Sequence, residues 1–380
     1  MRFSVLDSWR GLCALWVVLY HFRVLSHVND LWFTRHGFIA VDFFFALSGF
    51  VIAHAYGAQL GTAAERVRFA IRRFGRLYPL HIVCLLAVVA METARWGAGL
   101  AIGHDIGKPA FEGETSLIAL AANLVLVQGL GLFDAFTWNI PAWSISVELG
   151  VCLIFVLAST WKRPVLTAAI LAVAGCAALF WCIHNLPGEV IEGRSALARG
   201  VAGFFLGVLA QRLHALCREK GWSPSGWLEL ATPFVVIATM WLWDRGVWPA
   251  SAVIFSSLVF LFAFEKGPLS RLMKVPMLMK WGETSYSIYL VHYPIVLAVF
   301  GGAALYGSVT GVDVFARTKA VTLTLGNPWL GDLATLAFLA LVILVAQVTY
   351  RWIETPGRLW FNGLSNRVYD RMTGSTNPKA

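Results

Sequence analysis

The sequence predicts an all-α protein, a polytopic integral membrane helical bundle of about ten transmembrane helices plus one re-entrant or interfacial segment. Three observations lead there. Residues are 58% hydrophobic and only 13% charged, against about 25% charged in soluble domains, and the mean hydropathy is +0.69. Apolar runs of roughly 18 residues or more recur from Val5 to Tyr350, each long enough to cross a hydrocarbon core about 30 Å thick. Basic residues gather in the short linkers between those runs, as the preference of Lys and Arg for the cytoplasmic side produces. The net charge of +9 therefore reads as topology, and no nucleic-acid partner is expected. Membrane lipid is the expected surround.

In chain order the apolar segments lie near 8–28, 37–56, 77–97, 115–133, 141–160, 164–184, 195–211, 226–244, 247–265, 284–306 and 329–350. The first carries Asp7, Arg10 and His21 and lacks a small-residue cleavage site, so it reads as a retained helix rather than a signal peptide. If all eleven crossed, the basic linkers at 66–76 and 266–280 would face opposite sides, against the charge rule. If 115–133 does not cross, the basic stretches, the N-terminus and the tail all fall on one side. That segment contains Asn123 and Gln128 and ends at Gly129 and Gly131, which suits a re-entrant or interfacial element. The expectation is ten spans with both termini cytoplasmic, a membrane domain over 1–360 and a short, poorly ordered cytoplasmic tail over 361–380. Loops 98–114 and 308–328 become the longer external ones. Cys13, Cys84, Cys152, Cys176, Cys182 and Cys217 lack metal-ligand spacing and read as small buried apolar residues, so no metal is expected.

Ionisable residues inside spans are costly, roughly 2.5–3.5 kcal/mol each on insertion scales, and each is a functional hypothesis. Arg10 and His21 are eleven positions apart, which returns to within about 20° of the same helical face with a rise of about 16 Å. Arg10 is placed near the cytoplasmic headgroups and His21 near the middle of the bilayer. His21 is a candidate general base, or else a buried histidine bonded to a neighbouring helix. Asp42 is either a structural partner of an Arg or His or takes a direct role, and the Leu-Ser-Gly at 47–49 offers close helix packing. Arg73 and Arg76, three apart in IRRFGRLYPL, offer guanidinium forks suited to phosphate, or belong to an ordinary positive-inside linker before a helix that starts near Pro79. Trp138 and Trp143 mark a membrane interface, and Glu148 lies a few residues in from the external side as a base, an acceptor-orienting group or an ion-pair partner. Ser285, Tyr289 and His292 follow i, i+4 and i+7 spacing, a polar stripe facing the bundle interior, with Tyr286 and Ser287 beside it. Arg351, Glu354 and Arg358 close the last span, where snorkelling and helix termination are the default explanations.

Six segments in this order resemble the membrane-bound acyltransferase family 3, which includes bacterial O-acetyltransferases of surface polysaccharides and lipopolysaccharide. They are the Arg10–His21 spacing, GFIAVDFFFALSGFVI, the RxxR of RRFGRLYP, WSISVE, SYSIYLVHYP and the terminal IETP. The resemblance covers nearly the whole chain and looks like the stand-alone form, without a C-terminal extracytoplasmic domain. It implies an acyl-CoA donor, usually acetyl-CoA, and a carbohydrate or glycan acceptor, in a bacterial cytoplasmic (inner) membrane. It implies His21 as catalytic histidine with Arg10 as its partner, and Arg73 and Arg76 as donor-binding residues. Tyr286, Ser287 and His292 of the SYSIYLVHYP stripe are taken as further donor-binding candidates. Glu148 completes the catalytic set. The alternative from residues alone is a multi-span transporter or flippase of a polar or glycan substrate, since midplane His and carboxylates also mark substrate paths. A non-catalytic scaffold leaves the Arg10–His21 face unexplained.

Overall fold

The computed structural model describes residues 2–103, 108–186, 188–317 and 321–374. The chain begins with α1 (Ser4–His21), two short helices α2 (His27–Asp30) and α3 (Trp32–Arg35), and α4 (Ala40–Tyr56). The 40-residue α5 (Ala63–Ile102) follows, then α6 (Leu117–Leu124), α7 (Trp143–Ala158), α8 (Pro164–Asn185) and α9 (Gly188–Glu219). The second half holds α10 (Thr232–Trp243), α11 (Pro249–Phe262), α12 (Pro268–Met273), α13 (Pro276–Glu283) and α14 (Ser285–Thr310). A small hairpin of β1 (Phe315–Arg317) and β2 (Val321–Leu323) precedes α15 (Pro328–Thr349) and α16 (Thr355–Thr373).

Among the described residues, eight helical stretches are long and apolar enough to cross a membrane. Two more helices sit among them: α1, whose hydropathy is lowered by Asp7, Arg10 and His21, and the shorter α11. The segment 115–133 is the exception the charge rule required. Its helix α6 has eight residues, about 12 Å of rise against about 30 Å of hydrocarbon, and turns carry the chain onward to α7.

Two expectations are corrected. The linker at 66–76 is not a loop before a helix starting at Pro79. A capping box at Thr62, where Thr62 Oγ1 accepts from Glu65 N and the Glu65 carboxylate accepts from Thr62 N, starts α5 well upstream and carries it through Pro79. At about 1.5 Å per residue its 40 residues reach about 60 Å. Residues 361–373 are not a loose tail either: α16 continues to Thr373 and lies along α5. Arg72 donates to Ser365 Oγ (3.1 Å) and Asn366 Oδ1 (2.8 Å), and Arg68 sits over the Tyr369 ring.

The core is held at close range by small residues, as helices in lipid require. A Cβ on Gly49 of α4 would lie 1.9 Å from the Phe204 carbonyl oxygen of α9, so only glycine fits that crossing. A Cβ on Gly11 of α1 would come within 2.7 Å of Gly282 N at the end of α13. That contact sets the height of Arg10, one residue earlier, whose Nη2 donates to the Gly282 carbonyl at 2.8 Å.

Candidate active site

Five helices converge on a cavity of about 140 Å³ lined by Arg10, Arg73, Arg76, Ser48, Glu148, Ser285, Tyr286 and Tyr289 among others. Arg73 and Arg76 project from one face of α5 because they are three residues apart. Arg73 forms an ion pair with Glu148 of α7, whose carboxylate also accepts from Ser48 Oγ at 3.1 Å. Arg76 pairs with Glu354 at 3.3 Å. Arg10 donates to Ser285 Oγ at 2.7 Å and pairs with Asp7 at 3.2 Å. The cavity walls therefore hold three guanidinium groups and one carboxylate. Asp7 and Glu354 balance the other two guanidinium charges without lining the cavity.

A second cavity of about 520 Å³ has His21 in its wall, with Tyr20, Arg23, Glu114, Arg199, Tyr293 and several tryptophans. His21 Nδ1 lies 3.0 Å from the Val17 carbonyl and 3.2 Å from His292 Nε2. A carbonyl oxygen only accepts, so Nδ1 carries the hydrogen in that bond and Nε2 carries the lone pair. Among the described residues Nε2 takes no hydrogen-bond partner. Arg199 shapes the opposite wall: it binds Asp42 at 3.1 and 3.2 Å and lies over the rings of Trp143 and Trp243. Ser251 donates to Asp42 at 2.8 Å, which completes a buried charge pair with satisfied oxygens.

Among the described residues Tyr289 alone lines both cavities. Its ring meets Phe44 edge-on at 5.5 Å on one side and His292 at 6.0 Å on the other. Its hydroxyl is 2.8 Å from Ser144 Oγ, and both hydroxyls reach the Pro141 carbonyl, at 3.1 and 3.0 Å. Ser144 lines the arginine cavity and Pro141 the histidine cavity. The tyrosine is thus a partition latched to the start of α7.

Comparison with known proteins decides the class of chemistry. Residues 3–353 match the acyltransferase domain of family 3. The chain belongs to that family. It is 25% identical over 402 aligned residues to the peptidoglycan O-acetyltransferase OatA of Listeria monocytogenes, an alignment covering 96% of this chain and 58% of that protein. The chain thus spans little more than half of that relative. It is 36% identical over 186 residues to "Protein 2 in picA locus" of Rhizobium radiobacter, covering 45% of this chain and 92% of that protein. No solved structure matches it.

In this acyltransferase the structure brings Arg10, Arg73, Arg76, Glu148 and Tyr286 to one cavity and His21 to the other. Glu148 is not set apart toward the far side. In the second turn of α7 it meets Arg73, because the long α5 lifts that arginine well inside the bundle. His21 is the last residue of α1 rather than a mid-helix group, since the helix stops there and not at residue 28. Arg10, six residues in, lies between the helix start and His21. Ser287 and His292 line neither cavity. Ser287 is fully buried and donates to Glu354 at 2.8 Å, and His292 is fully buried behind His21. Tyr286 donates to the Leu77 carbonyl.

Trp138 and Trp143 do not mark an interface, since both are buried in the bundle. Trp138 Nε1 donates to the Ser116 carbonyl, and Trp143 stacks on Phe136 at 4.8 Å. Glu354 is no snorkelling end group: a π-helical turn at Tyr350–Glu354 turns it inward to Arg76 and Ser287, at 1% exposure. Asp42 is the structural partner of an arginine. Arg199 is visible in the sequence only as a charge inside the apolar run 195–211, and Tyr289 only as one member of a polar stripe; their roles come from contacts with distant segments.

Proposed function

We propose that this acyltransferase moves an acyl group, acetyl by preference, from cytoplasmic acyl-CoA to a hydroxyl of a carbohydrate acceptor such as a surface polysaccharide. The observation that carries this reading is the pair of cavities meeting at Tyr289, one lined by Arg10, Arg73 and Arg76 and the other by His21. Three guanidinium groups suit a polyanion, and their planar forks match phosphate oxygens. At about 140 Å³ the arginine cavity is below the roughly 300–1,000 Å³ of whole-ligand pockets. It fits the phosphate-bearing stem of a CoA ester while the nucleotide stays outside. Arg10 and His21 are about 16 Å apart along α1, so one ligand touches both only through a long arm, and CoA has one. The relative named as a peptidoglycan O-acetyltransferase supports a glycan acceptor.

The donor supplies an activated thioester carbon. Arg10, Arg73 and Arg76 hold the phosphates, with Arg73 exchanging Glu148 for a phosphate oxygen. Tyr289 yields to the arm, so that the carbonyl carbon comes to His21. His21 Nε2 takes the proton of the acceptor hydroxyl as its oxygen attacks that carbon. The C–O bond forms, the C–S bond breaks, and His21 returns the proton to the departing thiolate. The one hydrogen on His21 Nδ1, given to the Val17 carbonyl and shared at longer range with His292 Nε2, keeps the ring oriented. We place the arginine cavity toward the cytoplasm, where the basic linkers lie, and the His21 cavity toward the other face.

The test is direct. Purified protein in nanodiscs, given radiolabelled acetyl-CoA and glycan acceptors, transfers label to the glycan and releases one thiol per acetyl moved. Label transfer that survives His21→Ala at the wild-type rate removes this mechanism. Absence of acetyl-CoA binding removes the donor assignment.

A further inference from the structure

A third cavity of about 510 Å³ adjoins the His21 cavity and shares Tyr20, Arg23 and Phe38 with it. Its far wall is formed within the segment 22–36, and that wall is fixed rather than a loose lid. Leu25 N donates to the Leu323 carbonyl at 2.8 Å and Leu323 N to the Arg23 carbonyl at 3.0 Å, which ties the segment to the hairpin. His27 pairs with Asp332 of α15 at 2.7 Å, and His36 pairs with Asp244 at the end of α10 at 2.8 Å. Three separate elements thus hold one short stretch of chain, the support a preformed binding site needs.

The lining adds polar side chains that the His21 cavity lacks, Asn29, Asp30, Thr34 and Arg35. Asp30 and Arg35 form an exposed pair at 2.9 Å, the Asn29 amide nitrogen is held by Ser26 and the Thr34 hydroxyl by the Val28 carbonyl, so these groups are set in place before a ligand arrives. At the seam, Arg23 lies over the Tyr20 ring at 5.5 Å, and among the described residues no carboxylate lies within ion-pair distance of it. Its donors are available to whatever spans the seam. Each of the two cavities has the volume of a whole small-ligand pocket, so a single sugar at His21 leaves the outer one unused.

We propose that the third cavity is a second glycan subsite, which binds the sugar unit next to the one acylated. Arg23 bridges the two units, and Tyr20 and Phe38 offer ring faces between them. The acceptor is then an oligomeric glycan and not a free monosaccharide or small metabolite. This inference rests on the glycan reading of the His21 cavity and extends it.

The experiment measures kcat/KM for acetyl transfer in nanodiscs with two probe series of one to four units, β-1,4-linked N-acetylglucosamine oligomers and oligogalacturonates. The expected result, in at least one series, is a rise of tenfold or more between one unit and three. The three-to-one ratio should fall to within about twofold of unity in both Arg23→Ala and Asn29→Ala. The ratio is internal to each variant, so a general loss of folded protein does not imitate it. Transfer that is independent of length in the wild type overturns the proposal. So does a length effect that both variants retain. If acetyl-CoA binds but no unit of any length is acetylated, the glycan reading itself fails and the subsite with it.

Discussion

Replacing Tyr289 by phenylalanine keeps the ring between the cavities and deletes only the hydroxyl that latches it. In the native chain that hydroxyl sits 2.8 Å from Ser144 Oγ and 3.1 Å from the Pro141 carbonyl. Ser144 keeps its own 3.0 Å bond to Pro141, so the change leaves no stranded polar atom. The loss is then the net worth of a neutral hydrogen bond, about 1 kcal/mol. At 1.4 kcal/mol per factor of ten, that shifts the closed-to-open ratio of the partition by about fivefold. An open partition admits water from the larger cavity to the thioester. Thiol release from acetyl-CoA without acceptor, followed with a thiol reagent on purified protein, should rise about fivefold in Tyr289→Phe. Transfer to a saturating acceptor should change little. Tyr289→Ala, which also removes the ring, should leak more. Acceptor-independent thiol release that stays at the wild-type level in both variants would falsify the partition.

Three other substitutions test separate parts of the site. His21→Ala should lower transfer by about 10²–10⁴-fold, the usual worth of a general base, while acetyl-CoA binding by equilibrium dialysis persists. Arg73→Ala should weaken acetyl-CoA binding and lower the melting temperature by stranding Glu148. Adding Glu148→Gln should restore the melting temperature but not the binding, which separates the ion pair from ligand contact. Arg199→Ala leaves Asp42, at 2% exposure, without its cation, a loss of about 3–5 kcal/mol for a buried pair. Thermal scanning in detergent should show this as a large drop, relieved in part by Asp42→Asn, and a melting curve unchanged by Arg199→Ala would remove the buried-pair argument.

The fold was legible wherever a local rule had one solution. Hydropathy located the crossing helices, and loop charge singled out 115–133, where α6 proves too short to cross. Side-chain spacing on one helix was equally readable, so Ser285, Tyr289 and His292 were seen to share a buried stripe. Depth was harder to read. Measured from their own segment boundaries, Glu148 and Arg73 fall at opposite ends. A capping box at Thr62 moved one of those boundaries by many residues. Contacts between distant segments were not legible from local pattern. No local rule says that Glu354 turns inward through a π-helical turn, or that Arg199 reaches Asp42. The partition at Tyr289 is of that kind: it exists only because α14, α7 and α4 meet at one ring.

Arg10 and His21 share the single unbroken helix α1, and this makes that helix a gauge. In the proposed mechanism one end of the ligand is clamped near Arg10 and the chemistry happens at His21, with no joint between them to absorb an error. Adding or deleting one residue between the two turns His21 by about 100° and moves it about 1.5 Å. The ring would leave both His292 and the cavity wall. Substitutions along Gly11–Tyr20 are judged by local packing, but changes of length are judged by reach.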